Sequence, residues 1–340
     1  MLKGGVIGFG RMGITHYAIL NTHPDVQFVA VSDSSKFVLK NLKRYTSLKL
    51  FTDYQKMLGE VEMDFVIAAT PTASHYEIVK AAAQKNLHIF VEKPFSMNVE
   101  EGTELVKMAE DKGIVNQVGY FLRFNEVFRE VRKIVTDGLI GEVIHYKNEM
   151  YGRTVLKASK SGWRSKTAMG GGCMLDFASH CIDFSDYLFG PVEGVSGSVL
   201  KHIYSLNVED AVYTTLKHRN GTTGNIMVNW SDESYRRPFN RIEIFGTKGK
   251  IVADRQEYRL YLRQPDGKDH FEKGWNIRYL PELEKGVRFS LRGSEFTNQL
   301  DHFIECIRQK NTQTACTFAD ALRTDCVVEN IKNDFAARNT

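Results

Sequence analysis

The opening residues limit the fold more than any other stretch. "GGVIGFG" (4–10) is an apolar, strand-like run that breaks into the turn "GFGRMG", with glycines at 8, 10 and 13 and a helical pattern behind it. Gly8 suits a tight turn, Gly10 lets the backbone approach a pyrophosphate, and Gly13 lets the helix pack closely on the strand. The helix start then offers N–H groups and partial positive charge to phosphates. Such a turn alone is a weak signal. Here Asp33, at the end of the strand-like "VQFVAVSD" (26–33), adds an acidic residue at the spacing expected of a ribose ligand. The plain alternative is an ordinary strand–helix turn with Asp33 capping a helix. The agreement of strand, helix and acid favours a dinucleotide, with contacts at Gly8, Phe9, Gly10, Arg11, Met12, Gly13 and Asp33. A carboxylate at 33 accepts the ribose hydroxyls and repels a 2′-phosphate, which favours NAD over NADP; Lys36 and Arg44 soften that preference.

Further strand-like runs follow: "MDFVIAAT" (63–70), "LHIFVEK" (87–93) and "IVNQVGY" (114–120). Their centres are apolar on both faces, as in a parallel sheet covered on both sides. Amphipathic segments lie between them, one from an Asn98 cap to Gly113. Strand–helix alternation predicts a doubly wound α/β (Rossmann) domain over 1–121. A chain of 340 residues is long for one core, so a second domain is expected over 122–340. After a helix at "NEVFREVRKIVTDG", alternating runs punctuated by "RNGT" and "GTKGK" predict hairpins. The expected result is an α+β domain with an open, largely antiparallel sheet, a helix around "GGCMLDFASHCIDFSDYLFG" and two closing helices.

Composition excludes several classes of function. The net charge of +4 is scattered, with no basic stripe for nucleic acid. Five cysteines, an odd number without a CxxC pair, argue against a zinc ribbon or disulfide framework and for a reducing, cytoplasmic setting. A first strand directly after Met1-Leu2-Lys3 leaves no room for a signal peptide, and no apolar run reaches the ~20 residues of a membrane helix.

Three stretches carry chemistry. "ATPTASH" (69–75) and "VEKP" (91–94) follow strands, so Thr70, Pro71, Glu92 and Lys93 fall on the rim where open α/β sheets bind ligands, with His75 on the next helix, and all five are expected to contact the cofactor. By spacing alone His75 reads as a surface residue, and Glu92-Lys93 as a solvated pair at a strand exit. Pro94 disfavours helical backbone at Lys93, or is preceded by a cis bond; either fixes where the lysine points. A lysine near a cationic nicotinamide loses basicity and becomes useful as a proton donor or relay. Farther on, Asp176, His180 and Asp183 share one helix face. That face is read three ways: a general base with a carboxylate to fix its tautomer, a metal site, or a helix with solvated acids and a core histidine. Glycines 170–172 before it point to close backbone approach by a ligand or a neighbour.

Taken in order, "GFGRMG", "ATPTASH", "VEKPFS" and "GGGCMLDFASHCIDFSDYLFG" resemble the glucose–fructose oxidoreductase / inositol dehydrogenase (Gfo/Idh/MocA) family, through the first domain and half of the second. The resemblance implies NAD(P)-dependent oxidation of a secondary alcohol on a sugar, cyclitol, glycoside or nucleotide sugar. It implies a catalytic set of Lys93, Asp176 and His180, and homo-oligomers, dimer or tetramer, built through the open sheet face. In this reading His180 takes the hydroxyl proton as the hydride leaves for the nicotinamide. Lys93 stabilises the same oxygen, and Asp176 orients His180 or holds a neighbouring hydroxyl. Tyr120 and Arg123, with Trp163 and Arg164 of "SGWRSK", are expected to border the sugar or to pack between domains. No metal is expected. Two alternatives share these residues: an NAD-dependent glycosidase acting by transient 3-keto oxidation, and a non-catalytic NAD(P)-binding regulator.

Overall fold

A computed structural model describes residues 1–158, 162–267 and 271–338. The chain packs as two compact units. The first takes Met1–Phe121 and Gly286–Asp325; the second takes Leu122–Lys285 and the stretch from Cys326 onward.

The first unit is built on six parallel strands: β1 (Leu2–Ile7), β2 (Val26–Ser32), β3 (Lys49–Phe51), β4 (Phe65–Ala68), β5 (His88–Val91) and β6 (Asn116–Val118). Their spatial order, β3-β2-β1-β4-β5-β6, reverses direction at β1/β4, the doubly wound arrangement. Phe65–Ala68 and Ile89–Val91 are fully buried, because helices cover both sheet faces. β3 is only three residues long, too short for periodicity to reveal.

The return of Gly286–Asp325 departs from a simple division into 1–121 and 122–340. Its cause is packing. The helix Ser294–Gln309 turns Phe296, Leu300, Phe303, Ile304 and Ile307 into the core of the first unit. Phe303 sits edge-on to Phe65 and Phe90, at 6.0 and 5.9 Å between ring centroids. The following segment covers the β6 edge: Val118 donates to the Cys316 carbonyl (2.9 Å), and Thr314 to that of Asn116 (2.7 Å). An amphipathic pattern shows that a helix buries one face, not against which sheet.

The second unit holds eight strands: β7 (Val143–Tyr151), β8 (Val192–Lys201), β9 (Ala211–His218), β10 (Thr223–Asn229), β11 (Phe239–Gly246), β12 (Gly249–Asp254), β13 (Glu257–Leu262) and β14 (Gly274–Tyr279). Their order is β14-β13-β12-β11-β7-β10-β9-β8. All pairings are antiparallel except β7 with β10. Tyr146, Asn148 and Met150 point to the buried face, while Lys147 is exposed. Asn148 ties that face to a helix by donating to the Cys181 carbonyl (2.9 Å) and to Ser185 Oγ (3.0 Å). Among the described residues no helix is long and apolar enough to cross a membrane.

Candidate active site

The glycine turn has the form a dinucleotide needs. Gly8 adopts φ +87°, and a Cβ there would lie 2.6 Å from the Ala69 carbonyl oxygen; a Cβ on Gly13 would overlap the Gly8 carbonyl. Those two glycines answer to the protein itself. Gly10 does not: a Cβ there meets nothing within 4 Å, so the space before it is open. The helix Arg11–Leu20 starts with no side-chain cap and no acidic residue in its first turn, whereas Ser35, Asp53 and Asn98 cap later helices of this unit. An uncompensated helix start facing open space suits a pyrophosphate.

Asp33 braces this turn. One carboxylate oxygen accepts the Phe9 N–H and the other the Ser35 N–H, both at 2.7 Å, and Ser35 rather than Asp33 caps the next helix. Each oxygen keeps a second lone pair, enough for a ribose diol. The Phe9 ring packs against Tyr17 and Met12 lies against the same core, while Arg11 is exposed. At the end of β4, Thr70 presents a buried hydroxyl with no hydrogen-bond partner beside the Gly8 turn. An orphaned polar atom there fits a ligand group.

The corner after β5 is more tightly bound than a strand exit requires. Glu92 is buried, with Oε1 2.6 Å from His16 Nε2 and Oε2 accepting the Lys93 N–H at 3.2 Å. Burial acts to raise the Glu92 pKa, but the hydrogen bond and charge of His16, followed by Lys93, hold it below its ordinary value. The Lys93–Pro94 bond is cis and Lys93 is half-buried. His75 is wholly buried: Nδ1 lies 2.9 Å from the Pro94 carbonyl and Nε2 3.0 Å from that of Thr70. Burial lowers its pKa against the opposing pull of those carbonyls. Ser96 closes the corner, giving its N–H and Oγ–H to Asp325 at 3.0 and 2.9 Å.

In the second unit, Asp176 lies in a π-helical turn, Met174–Ala178, that runs into the α-helix Ser179–Phe189. A step of four residues overshoots an α-turn, and the wider π-turn brings Asp176 and His180 nearer to alignment. Both are buried. Asp176 accepts Arg164 Nε at 2.8 Å, and the Arg164 guanidinium lies over the Trp163 ring, 4.5 Å from its centroid. The glycines before the turn answer to neighbours: a Cβ on Gly171 would overlap the Arg164 carbonyl, and one on Gly172 (φ +113°) would meet Glu209 Oε1 at 2.5 Å. Glu209 caps the turn by accepting the Met174 N–H at 2.7 Å, and burial raises its pKa.

Asp183 faces elsewhere. It forms a buried, bidentate pair with Arg123, Nη2 to Oδ1 at 2.7 Å and Nε to Oδ2 at 3.0 Å. Arg123, expected beside a sugar, is thus bound within its own unit, and Tyr120 is buried in the core of the first unit. Among the described residues no three His, Cys, Asp or Glu side chains are grouped to hold a metal ion. Sequence reading missed His16, Glu209 and Asp325. His16 lies on the buried face of the first helix and reads as an ordinary core residue; the other two lie far along the chain from what they hold.

Comparison with known proteins agrees with the dinucleotide-binding form of the first unit. Residues 2–120 match the oxidoreductase family with an NAD-binding Rossmann fold, and residues 128–252 match the GFO/IDH/MocA C-terminal domain. Fold and glycine turn therefore define an NAD-dependent oxidoreductase. The chain belongs to the Gfo/Idh/MocA family. It is 29% identical to the myo-inositol 2-dehydrogenase of Thermotoga maritima over 305 residues, covering 84% of this chain and 87% of that protein. It is 27% identical to the 2,7-anhydro-N-acetylneuraminate hydratase of Escherichia coli over 276 residues, covering 80% and 72%. A levoglucosan dehydrogenase solved with NADH and levoglucosan has the same fold, with TM-score 0.88, 22% identity and 99% and 97% coverage.

Proposed function

We propose that this oxidoreductase oxidises a secondary alcohol of a cyclitol or sugar, with Lys93, Asp176 and His180 as its catalytic residues. The observation that supports the reading is the presence of the Glu-Lys-Pro stretch at Lys93 and of Asp176 and His180 on one helix, in a chain similar to an inositol dehydrogenase over most of both lengths. Bound NAD supplies the hydride acceptor. His180 accepts the hydroxyl proton at a ring nitrogen, Lys93 donates a hydrogen bond to the same oxygen as charge develops, and Asp176 orients the imidazole or a neighbouring hydroxyl. Gly8–Gly13, Asp33, Thr70 and Pro71 hold the cofactor. Trp163 and Arg164 border the substrate, and Arg123 acts through Asp183 by fixing the helix. The domain roles follow: the first unit binds dinucleotide and the second binds substrate and self-associates. Tyr261, Trp275, Ile277 and Tyr279 stand exposed on the last two strands, where a homo-oligomer would form. Five free cysteines suit a cytoplasmic setting.

The test is NADH formation over myo-inositol, scyllo-inositol, levoglucosan, glycosides and nucleotide sugars; activity on none of them would overturn the reading. A hydratase among the relatives supports a second reading, redox-neutral chemistry with NAD used catalytically, as in the glycosidase alternative. Product formation without net NADH separates the two. Asp33→Ala should narrow the preference for NAD over NADP by removing repulsion at the 2′-position; equal affinities for both cofactors in the parent would remove that role from Asp33.

A further inference from the structure

Backbone pairing of β5 ends at Val91 with Ala68, and one more bond runs from the Glu92 N–H to the Ala68 carbonyl (2.9 Å). Beyond that point the chain through Lys93 to Ser96 is held by side chains. The Lys93 N–H turns back to the Glu92 carboxylate, whose other oxygen takes His16 Nε2. His16 Nδ1 is buried without a hydrogen-bond partner, whereas an N–H on Nε2 has the Glu92 carboxylate to accept it. Gly119 packs against the same carboxylate: a Cβ there would lie 3.2 Å from Glu92 Oε2, closer than an ordinary contact. On the other side, His75 Nδ1 faces the Pro94 carbonyl and Nε2 that of Thr70; a neutral ring carries one N–H, and on Nδ1 it donates to Pro94. Two wholly buried imidazoles thus hold the residues immediately before and after Lys93.

We propose that His16 and His75 are positioning residues for Lys93: His16 fixes residue 92 through its carboxylate, and His75 fixes residue 94 through its carbonyl. The role rests on the catalytic reading of Lys93. A lysine amine rides on a flexible four-carbon stem, so its aim depends on how firmly the stem is rooted. Positional errors on the order of 1 Å lower turnover about 10²-fold even when the cofactor still binds. His75 takes no cofactor contact in this assignment; its two ring nitrogens face the loop carbonyls of Pro94 and Thr70.

Five variants of the full chain test this. His75→Phe and His16→Leu remove the ties. His75→Asn keeps a donor near the Nδ1 position for Pro94, His75→Gln keeps one near the Nε2 position for Thr70, and His16→Gln keeps the donor to Glu92. Hydrogen exchange read by mass spectrometry over residues 89–98 needs no substrate. It should quicken about 10-fold in His75→Phe and His16→Leu; unchanged exchange in both overturns the proposal. Turnover is read with NAD and whichever of myo-inositol, scyllo-inositol or levoglucosan the parent oxidises. It should fall roughly 10- to 10²-fold in the same two variants, while NAD affinity stays within about 3-fold. His75→Asn should keep more turnover than His75→Gln, and His16→Gln more than His16→Leu; these polar pairs decide the matter if the apolar variants fail to fold, and reversed or equal pairs overturn it. In a Lys93→Met background the His75 and His16 losses should vanish, because they act through the missing amine. Losses that multiply there mark a separate structural role. Normal turnover in Lys93→Met itself overturns the Lys93 reading and the positioning role with it. Normal turnover in His75→Phe and His16→Leu beside an impaired Lys93→Met overturns the positioning role alone.

Discussion

Glu92, buried in the first unit, and Glu209, partly buried in the second, each hold a backbone N–H next to a proposed catalytic group, Lys93 and Asp176 respectively. Burial pushes both pKa values up, yet only that of Glu209 rises. Glu92 has a histidine partner at 2.6 Å and a neighbouring lysine, which outweigh desolvation. Glu209 has chiefly backbone N–H groups, and Lys332 and His202 act on it only weakly. Desolvation acting in the same direction on both therefore ends in opposite protonation preferences, set by what stands within hydrogen-bond reach. The contrast extends to the adjoining acids. The corner at Lys93 is compensated by buried partners, whereas the Arg164 side chain that pairs with Asp176 is 42% exposed.

The largest effect expected from any single change tests whether the Asp176 helix has a buried anchor of its own. Arg123 and Asp183 have side chains only 4% and 1% exposed. Asp183→Ala leaves a buried guanidinium without its charge partner and should cost about 3–5 kcal/mol in urea unfolding. A cost under about 1 kcal/mol would mean that water reaches Arg123 and that the helix has no such anchor.

Lys93→Met comes next. Loss of one preorganised donor should lower turnover roughly 10²–10³-fold, with much less effect on NAD affinity, since the phosphates and ribose are assigned to Gly8–Gly13 and Asp33. Near-normal turnover with intact NAD binding would return Lys93 to an ordinary strand exit. A smaller contrast compares the two compensating partners. Arg164→Met should change stability by less than about 1 kcal/mol, because the Arg164 side of its pair with Asp176 is 42% exposed and screened by solvent. His16→Leu should cost more, about 1–3 kcal/mol, because it strands a buried carboxylate. Equal costs by thermal unfolding would erase the distinction between the two regions.

How much of this was legible in the sequence follows the same division. The β1 turn, Asp33 and the strand ends at Thr70 and Lys93 depend on local spacing, which one stretch of chain displays. The Asn98 cap was readable for the same reason, and its side chain does accept the Glu101 N–H at 2.8 Å. Partners set by tertiary folding were not readable. His16 and Glu92 are 76 residues apart, Ser96 and Asp325 229. Arg123 carried a charge and a plausible position, but only packing reveals that Asp183 occupies it. The π-turn at Met174 was hidden as well, because an extra residue in one turn leaves the apolar pattern of a helix nearly intact.

The smallest expected effect is also the one that divides the two glutamates by sign. Glu92 has a folded pKa below its ordinary value near 4.5, so its contribution to stability is present above that value and is lost as pH falls through the folded pKa. Glu209 has a folded pKa above 4.5, so its contribution is full below that value and is lost as pH rises through the folded pKa. Glutamine mimics the protonated acid in shape and can still accept the same N–H. Glu92→Gln should therefore destabilise the protein at pH 7, with a difference that shrinks in acid. Glu209→Gln should be neutral or stabilising at pH 7 and should match the parent below about pH 4.5. Urea midpoints for both variants and the parent across pH 3.5 to 8, on the order of one point per half unit, would display the two slopes. Parallel slopes would show that Glu209 has a charge partner equivalent to His16. The opposition between the two corners would then rest on the exposure of Arg164 alone.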